Sequence, residues 1–225
     1  MHLRRRAAQP RAMRRDTDRR TFLTSAIVAV LLTLATASAW AGGPFGIDHP
    51  VGGDASGIWV RRNQLILQDL TPLVVLTGAL WEGDNSRFSH TSWQAADSLL
   101  VGAATSGVMK LAFSRSRPSQ TDDPNEWFQG KGHSSFPSAE VMEISTAITP
   151  YVLENGGEHP AVWALELLPV YDAIARVKSH AHWQSDVLTS FVLGSAVGYY
   201  THERSTSIGV GILPRGITVG WKKSF

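Results

Sequence analysis

The sequence of 225 residues contains no cysteine. This absence excludes a disulfide framework, a thiolate zinc site and a cysteine nucleophile. The main part of the chain also lacks an excess of basic residues. The whole sequence has 21 basic and 19 acidic side chains, but residues 1–41 hold eight arginines and two aspartates, which leaves 13 basic and 17 acidic side chains, a net charge of −4. The alkaline isoelectric point therefore belongs to the N-terminal segment, and we expect no nucleic-acid partner.

The first 41 residues have the order of an export signal. Eight arginines precede an apolar run from Phe22 to about Ala37, and the sequence AWA at 39–41 fits an Ala-x-Ala cleavage site. The stretch DRRTFLT is similar to a twin-arginine signal. We expect residues 1–41 to be a cleavable signal and the protein to be exported, periplasmic or in the cell envelope. The alternative is an uncleaved membrane anchor.

Apolar periodicity predicts an all-α fold, a compact helical bundle of residues 42–205 with a C-terminal β-hairpin at 206–225. Pro72 and Pro169 are expected to break or kink the helices that contain them. The predicted helices span 63–83, 92–114, 138–155, 160–182 and 183–204.

Two segments of the bundle domain are predicted to be irregular. Residues 42–60 are rich in glycine, proline and aspartate, and we expect them to form a loose leader. Residues 115–136 contain many turn-forming residues and are expected to form an ordered loop.

No apolar run after residue 41 reaches the roughly 18 uncharged residues that a membrane span requires. The run at 98–113 contains Lys110, and the run at 160–177 is interrupted by two acidic residues and a proline. We therefore expect a soluble bundle. Re-entrant or peripheral membrane contact is the alternative.

A Pro-Ser pair opens the predicted helix at 138–155. The simplest interpretation is an N-cap, in which Ser138 bonds the first free amides and Glu140 favours the positive end of the helix. Charged residues elsewhere argue for more than a cap. In KLAFSRSRP, Lys110 and Arg117 are separated by six residues.

A third charged segment, ARVKSHAHWQSD, has Arg176, five residues, His182, three residues and Asp186. Together the three segments resemble the motifs of the type 2 phosphatidic acid phosphatase and vanadium haloperoxidase superfamily, which are Lys-x6-Arg-Pro, Pro-Ser-Gly-His and Ser-Arg-x5-His-x3-Asp. The first motif matches at every fixed position, and the third departs only at Ala175. The resemblance spans about residues 95–200.

The second motif departs from the family pattern at two positions. Ala139 replaces glycine, and Glu140 replaces the histidine that, in the family, protonates the leaving oxygen. Glu140 can act as this acid only if it is protonated; if it stays ionised, it braces Lys110 or an arginine instead. His133 and His180 are reserve proton donors, although each is more typical of a loop or surface histidine.

A phosphoryl group needs cations on its equatorial oxygens and an in-line nucleophile. Arginine offers a planar fork that matches phosphate oxygens, and a helix N-terminus offers amides. The expected phosphate-binding residues are Lys110, Arg117, Ser138, Ala139 and Arg176.

The resemblance implies that His182 is the nucleophile and forms a phosphohistidine. Asp186, one helical turn later, can keep one imidazole nitrogen protonated and leave the other free to attack. The expected catalytic residues are thus His182, Asp186 and, if protonated, Glu140.

The sequence therefore predicts an exported phosphatase that acts on phosphomonoesters or diphosphates of small molecules or lipids. It predicts no metal and no cofactor, with vanadate as an inhibitor. One alternative is a vanadate-dependent haloperoxidase, in which vanadate is the cofactor. Another is a non-catalytic phosphate-binding protein whose second motif has decayed.

Overall fold

The computed structural model describes residues 42–81 and 86–204, and the backbone of two strands at 206–213 and 216–223. The expected signal at 1–41 lies outside these residues. The described part is a helical bundle, as the apolar periodicity predicts. Its α-helices are α1 (Arg61–Trp81), α2 (Arg87–Phe113), α3 (Ala139–Asn155), α4 (Leu167–Lys178) and α5 (Gln184–His202).

The two strands follow α5 and form an antiparallel pair. Strand β1 is Thr206–Leu213 and β2 is Gly216–Lys223. In their register Thr206 lies opposite Lys223, and Leu213 lies opposite Gly216.

Helix α3 is the centre of the bundle, because eleven of its seventeen residues are buried and such a helix must be enclosed by its neighbours. Small residues in the flanking helices allow this enclosure. A Cβ atom at Gly102 of α2 would lie 2.7 Å from Thr146 Cγ2, and one at Gly194 of α5 would lie 2.8 Å from the Met142 carbonyl oxygen. Helices α2 and α5 therefore pack directly against α3.

The predicted helix at 160–182 is wrong in its boundaries. A 3-10 segment, Pro160–Glu166, comes first, and α4 then ends at Lys178. Pro169 does not kink a helix, because it lies in the first turn of α4, where amides have no intrahelical partner. His182 consequently lies in the turn between α4 and α5 rather than inside a helix.

The proline at position 72 lies inside α1, which continues through it. A proline there removes one backbone hydrogen bond. The Thr71 hydroxyl donates to the Leu67 carbonyl at 2.8 Å in the same turn. The break that was predicted at Pro72 is therefore absent.

The leader at 42–60 is not loose. Asp48 is only 3% exposed, and its Oδ1 accepts a hydrogen bond from the amide of Ser185 at 2.7 Å. Because Ser185 lies in the first turn of α5, the carboxylate caps that helix from outside. We call residues 42–54 the N-terminal strap. The sequence does not reveal this docking, since a glycine-rich segment shows no periodicity.

Candidate active site

Two cations of the first motif converge on the loop that precedes α3. The ammonium of Lys110, near the end of α2, donates to the carbonyl oxygens of Ser134 and Pro137, both at 2.7 Å. Arg117 donates from Nη2 to the Ser134 hydroxyl at 3.2 Å. Both side chains therefore lie beside the start of α3, which agrees with the predicted phosphate-binding role.

The start of α3 presents free donors. Ser138 occupies the N-cap position and is fully buried, but its side chain makes no capping bond. Among the described residues its Oγ has no hydrogen-bond partner. The predicted capping by Ser138 is therefore wrong, and the hydroxyl is available to a ligand together with the unpaired amide of Ala139, the first residue of the helix.

Arg176 brings a third cation from the last turn of α4. It is 6% exposed, and its Nη1 donates to Gln64 Oε1 at 3.2 Å. Its Nη2 lies 3.6 Å from Glu140 Oε1, and its Nε has no partner among the described residues. A buried guanidinium with a free donor is suited to a bound anion.

The three cations lie within electrostatic range of one another, and two of them, Lys110 and Arg176, lie within range of His182. Burial, with the charges of Arg117 and Arg176, lowers the pKa of Lys110 to about 8. The charges of Lys110 and Arg176 also act on the imidazole of His182. The structure thus brings together four residues that come from separate parts of the sequence.

His182 is a neutral imidazole with one committed nitrogen. Its Nδ1 lies 2.6 Å from the Ser135 carbonyl oxygen, which can only accept, so Nδ1 carries the proton and Nε2 keeps its lone pair. Burial lowers the pKa of His182 to about 4, although the nearby charge of Asp186 opposes burial. At neutral pH the ring is therefore in the form that a nucleophile needs.

The expected direct pairing of His182 with Asp186 is looser than predicted. Nδ1 lies 3.8 Å from Asp186 Oδ2 and bonds the Ser135 carbonyl instead, because the histidine is not in the same helix. Asp186 Oδ2 accepts from the Ser135 hydroxyl at 2.5 Å and from the Trp183 amide at 2.9 Å. The carboxylate therefore supports the imidazole mainly through Ser135.

Arg115 holds the other oxygen of this carboxylate, and sequence analysis did not single it out. Its Nη1 donates to Asp186 Oδ1 at 2.5 Å and its Nη2 to Asp48 Oδ2 at 2.6 Å, with all three side chains 0% exposed. Burial raises the pKa of Asp186, but the charge of Arg115, together with the hydrogen bond from the Ser135 hydroxyl, outweighs burial and keeps that pKa below its usual value. The sequence signal for Arg115 is only its position two residues before Arg117.

Glu140 is an ionised partner of arginines. Its Oε2 accepts from Arg61 Nη1 at 2.5 Å, and its Oε1 accepts from Arg61 Nη2 at 2.9 Å. Oε1 also lies 3.6 Å from Arg176 Nη2. Burial raises the pKa of Glu140, but the bidentate bonds of Arg61 and the charge of Arg176 outweigh burial and lower it. This geometry fits the bracing alternative rather than a proton donor. Arg61, in the first turn of α1, carried no signal in the motifs.

The two reserve histidines are engaged elsewhere. His133 Nδ1 lies 2.9 Å from the Ser116 hydroxyl, within the loop before α3. His180 Nε2 lies 2.8 Å from the carbonyl oxygen of Val51 in the N-terminal strap, and must donate to it. His180 therefore ties the strap to the turn before α5.

An apolar groove lies beside Lys110 and Ala139, two of the predicted phosphate-binding residues. It has a volume of about 1040 Å³ and runs between α1 and α2, from Leu80 and Trp93 at one end to Lys110 and Ala139 at the other. A space of this size accommodates a chain-like apolar ligand.

The outer face of α1 is also apolar. An 18-residue window of α1 has a mean hydropathy of 1.3, and only 22% of that window is buried. Among the described helices α1 is long and apolar enough to cross a membrane by length and composition. The prediction that no apolar run is long enough for a membrane span was too strict, because it required uncharged residues throughout. The 18-residue window of α1 contains one charged residue, Asp69, and still has a mean hydropathy of 1.3. The exposed apolar residues of α1 include Leu65, Ile66, Leu70, Leu73, Val74, Leu76, Leu80 and Trp81.

Comparison with known proteins agrees with the motifs. The family model of the PAP2 superfamily matches residues 92–206. No curated protein matches this chain. Among solved structures, the first transmembrane PAP2-type phosphatidylglycerolphosphate phosphatase from Bacillus subtilis is 19% identical, with 65% of this chain and 76% of that chain covered and a TM-score of 0.49.

Proposed function

Because the chain belongs to the PAP2 superfamily, we propose that it is a phosphatase that transfers a phosphoryl group first to His182 and then to water. The observation that carries this proposal is the state of His182. Its Nδ1 proton is committed to a carbonyl oxygen, which leaves Nε2 unprotonated within range of the charges of Lys110 and Arg176. A neutral imidazole in a cationic pocket is suited to attack on a phosphate.

In the proposed reaction, Lys110, Arg117 and Arg176 bind the equatorial oxygens of the phosphoryl group, with the Ser138 hydroxyl and the first amides of α3 as further donors. The Nε2–P bond forms as the bond from phosphorus to the leaving oxygen breaks. Water then attacks the phosphorus, the Nε2–P bond breaks with its electron pair returning to Nε2, and inorganic phosphate leaves with the protons of the water. Asp186, acting through Ser135, stabilises the positive charge that develops on the ring.

Glu140 gives the site a preference among leaving groups. As an ionised partner of Arg61, it has no proton to donate. A positioned general acid contributes about a hundred- to ten-thousand-fold, and it matters least where the leaving group is already a stable anion. We therefore propose diphosphates as better substrates than alkyl phosphomonoesters.

The groove and the outer face of α1 support a lipid as the substrate. The groove is apolar and ends at Lys110 and Ala139, so a hydrocarbon chain within it places an attached phosphate near the cations. The exposed apolar side chains of α1 are suited to a bilayer. We propose that the exported protein acts on lipid phosphates at a membrane surface. The signal at 1–41 remains a prediction.

The test is an assay of the full-chain protein in detergent, without added metal, on a lipid diphosphate, its monophosphate and a chromogenic phosphate ester. We expect turnover that vanadate inhibits and that His182→Ala abolishes. Acid quenching during turnover should trap phosphate on wild-type protein and none on His182→Ala. The matched control is His90→Ala, an exposed histidine on α2.

Two outcomes would replace the proposal. Phosphate binding without turnover indicates the non-catalytic alternative, which the replaced histidine of the second motif favours. Halide oxidation with vanadate and peroxide indicates the haloperoxidase alternative, in which vanadate is the cofactor.

A further inference from the structure

The N-terminal strap lies before the region that the family model matches, and yet it contributes a fully buried carboxylate beside the site. Asp48 Oδ1 accepts from the Ser185 amide, and Asp48 Oδ2 accepts from the Ser185 hydroxyl at 2.7 Å and from Arg115 at 2.6 Å. Burial raises the pKa of Asp48, while the charge and hydrogen bond of Arg115 oppose burial. A carboxylate enclosed with this many donors has a defined position.

Arg115 connects this carboxylate to the catalytic one. Nη2 of its guanidinium donates to Asp48, and Nη1 donates to Asp186. The Pro124 carbonyl accepts from Nε and Nη2, at 3.1 and 2.6 Å, and the ring of Trp127 lies 4.3 Å from the guanidinium carbon. Nη1 also donates to the Ser185 hydroxyl at 2.9 Å. The donors of Arg115 are therefore divided between two carboxylates, one hydroxyl and one carbonyl, and its plane is fixed by an aromatic face.

From Asp186 the connection reaches the nucleophile in two further bonds. The Ser135 hydroxyl donates to Asp186 Oδ2, and the Ser135 carbonyl accepts from His182 Nδ1. Each link is a hydrogen bond between buried groups. Because these groups are shielded from solvent, a displacement of one group shifts the next one along the connection.

We infer that Asp48 and Arg115 are positioning residues, and that the N-terminal strap is a working part of the site because it fixes the orientation of His182 through Asp186 and Ser135. This inference rests on the proposed function for its kinetic consequences only. Since a small misplacement of a reacting group costs about a hundredfold in rate, loosening the connection should slow catalysis without weakening the binding of phosphate. The cations that bind phosphate do not include either residue.

The test uses the full-chain protein in detergent and two conservative substitutions. Asp48→Asn keeps an acceptor oxygen for Ser185 and removes the charge facing Arg115, whereas Arg115→Lys keeps the charge and removes the fork. We expect kcat to fall by about tenfold in Asp48→Asn and by more in Arg115→Lys, because the fork alone bridges both carboxylates. The inhibition constant of inorganic phosphate should change by less than about twofold.

The matched control is Asp54→Asn. Asp54 lies in the same strap, its side chain is 39% exposed, and its carboxylate lies 3.9 Å from the Lys178 ammonium. It touches no member of the connection, so kcat should stay within about twofold of wild type. Equal losses of rate in Asp48→Asn and Asp54→Asn would show that the strap matters only for general stability.

A second measurement is independent of turnover. In protein with 15N-labelled histidine, the ring nitrogens of His182 should report the Nδ1–H form in wild type and in Asp54→Asn, and should shift in Asp48→Asn and Arg115→Lys. If wild type proves inactive on every phosphate ester, the proposed function fails while this measurement still decides the inference. Unchanged His182 nitrogens in both variants, or a fall in phosphate affinity that matches the fall in rate, would overturn it.

Discussion

Two buried carboxylates beside the candidate site, Asp186 and Glu140, are both ionised, but they differ in the residues that surround them. Asp186 is fully enclosed, with one arginine and two neutral donors arranged so that the imidazole of His182 is supported. Glu140 is 9% exposed, faces two arginines, and stands where the family has a histidine. In the first region a carboxylate supports an imidazole. In the second a carboxylate neutralises two arginines and carries no proton to donate.

The difference shows that the identity of a charged residue does not give its role. Both carboxylates have a pKa below the usual value, with burial opposed by arginine in each case. The two carboxylates differ in the residues to which their partners connect them. Asp186 is linked to the imidazole of His182 through Ser135. Glu140 is linked to Gln64 through Arg61 and Arg176. The following predictions test this separation.

The largest effect is expected at Asp186. Asp186→Asn replaces an acceptor of the Ser135 hydroxyl and the Trp183 amide with a group that can present N–H donors, so the support of His182 is lost. We expect kcat to fall by about a thousandfold, less than the roughly ten-thousandfold for the orienting carboxylate of a catalytic triad, because Asp186 acts on the ring through Ser135. Steady-state kinetics on a diphosphate substrate would measure this, with Asp172→Asn as the same substitution at another buried carboxylate. A fall below tenfold would mean that Ser135 alone orients the ring.

A smaller effect is expected at Glu140. Glu140→Gln loosens Arg61 and Arg176 but removes no proton donor, so kcat/KM should fall by about tenfold, and equally for good and poor leaving groups. The measurement is kcat/KM across a series of phosphate esters that differ in the pKa of the leaving alcohol. A loss of about a hundredfold or more that is confined to poor leaving groups would identify Glu140 as the general acid after all.

The comparison is sharpened by restoring the histidine of the family motif. A histidine at position 140 next to Arg61 would be held neutral by the like charge, so the informative variant combines Glu140→His with Arg61→Gln. We expect the ratio of alkyl phosphate to diphosphate turnover to rise severalfold, because a protonated imidazole can then assist a poor leaving group. Arg61→Gln alone is the control, and a ratio that rises equally in this control would attribute the change to the lost arginine.

The sequence was sufficient for the part of the site that local spacing encodes. Lys110, Arg117, Arg176 and His182 were singled out because their spacings resemble the motifs of a known family, and motif spacing is local information. Pairs between distant segments could not be predicted. Asp48 bonds a residue 137 positions away, and Arg61 bonds one 79 positions away, and neither segment has a pattern that indicates its partner.

The fold followed the same division between local and long-range information. Helix existence was predictable from apolar periodicity, as in α2 and α3, whereas the 3-10 segment before α4 was not, because its residues are compatible with either helix. The docking of the strap depends on contacts of Asp48 with Arg115 and with the first turn of α5. These are tertiary contacts between segments that are distant in the sequence. The apolar outer face of α1 was missed for a different reason, since the length rule counted a single aspartate as an interruption.

The smallest effect on catalysis is expected at Asp172, a fully buried carboxylate in α4 that belongs to the Glu140 region. Neither of its oxygens has a hydrogen-bond partner among the described residues, and burial raises its pKa to about 7, with Glu140 and Glu143 adding to the shift and Arg176 and Arg61 opposing it. A raised pKa in the folded state means that the folded protein binds more protons than the unfolded one between about pH 4 and 7. Stability is therefore lost as the pH rises through that window.

Asp172→Asn removes this titration and keeps the shape of the side chain. The free energy of unfolding should be unchanged near pH 4 and greater than that of wild type by on the order of 4 kcal/mol at pH 8, while kcat stays within about twofold. Denaturant unfolding at the two pH values measures the difference. If Asp172→Asn instead slowed turnover as Asp186→Asn does, then the Glu140 region would also contain a carboxylate that serves the reaction, and the division between the two regions would not hold.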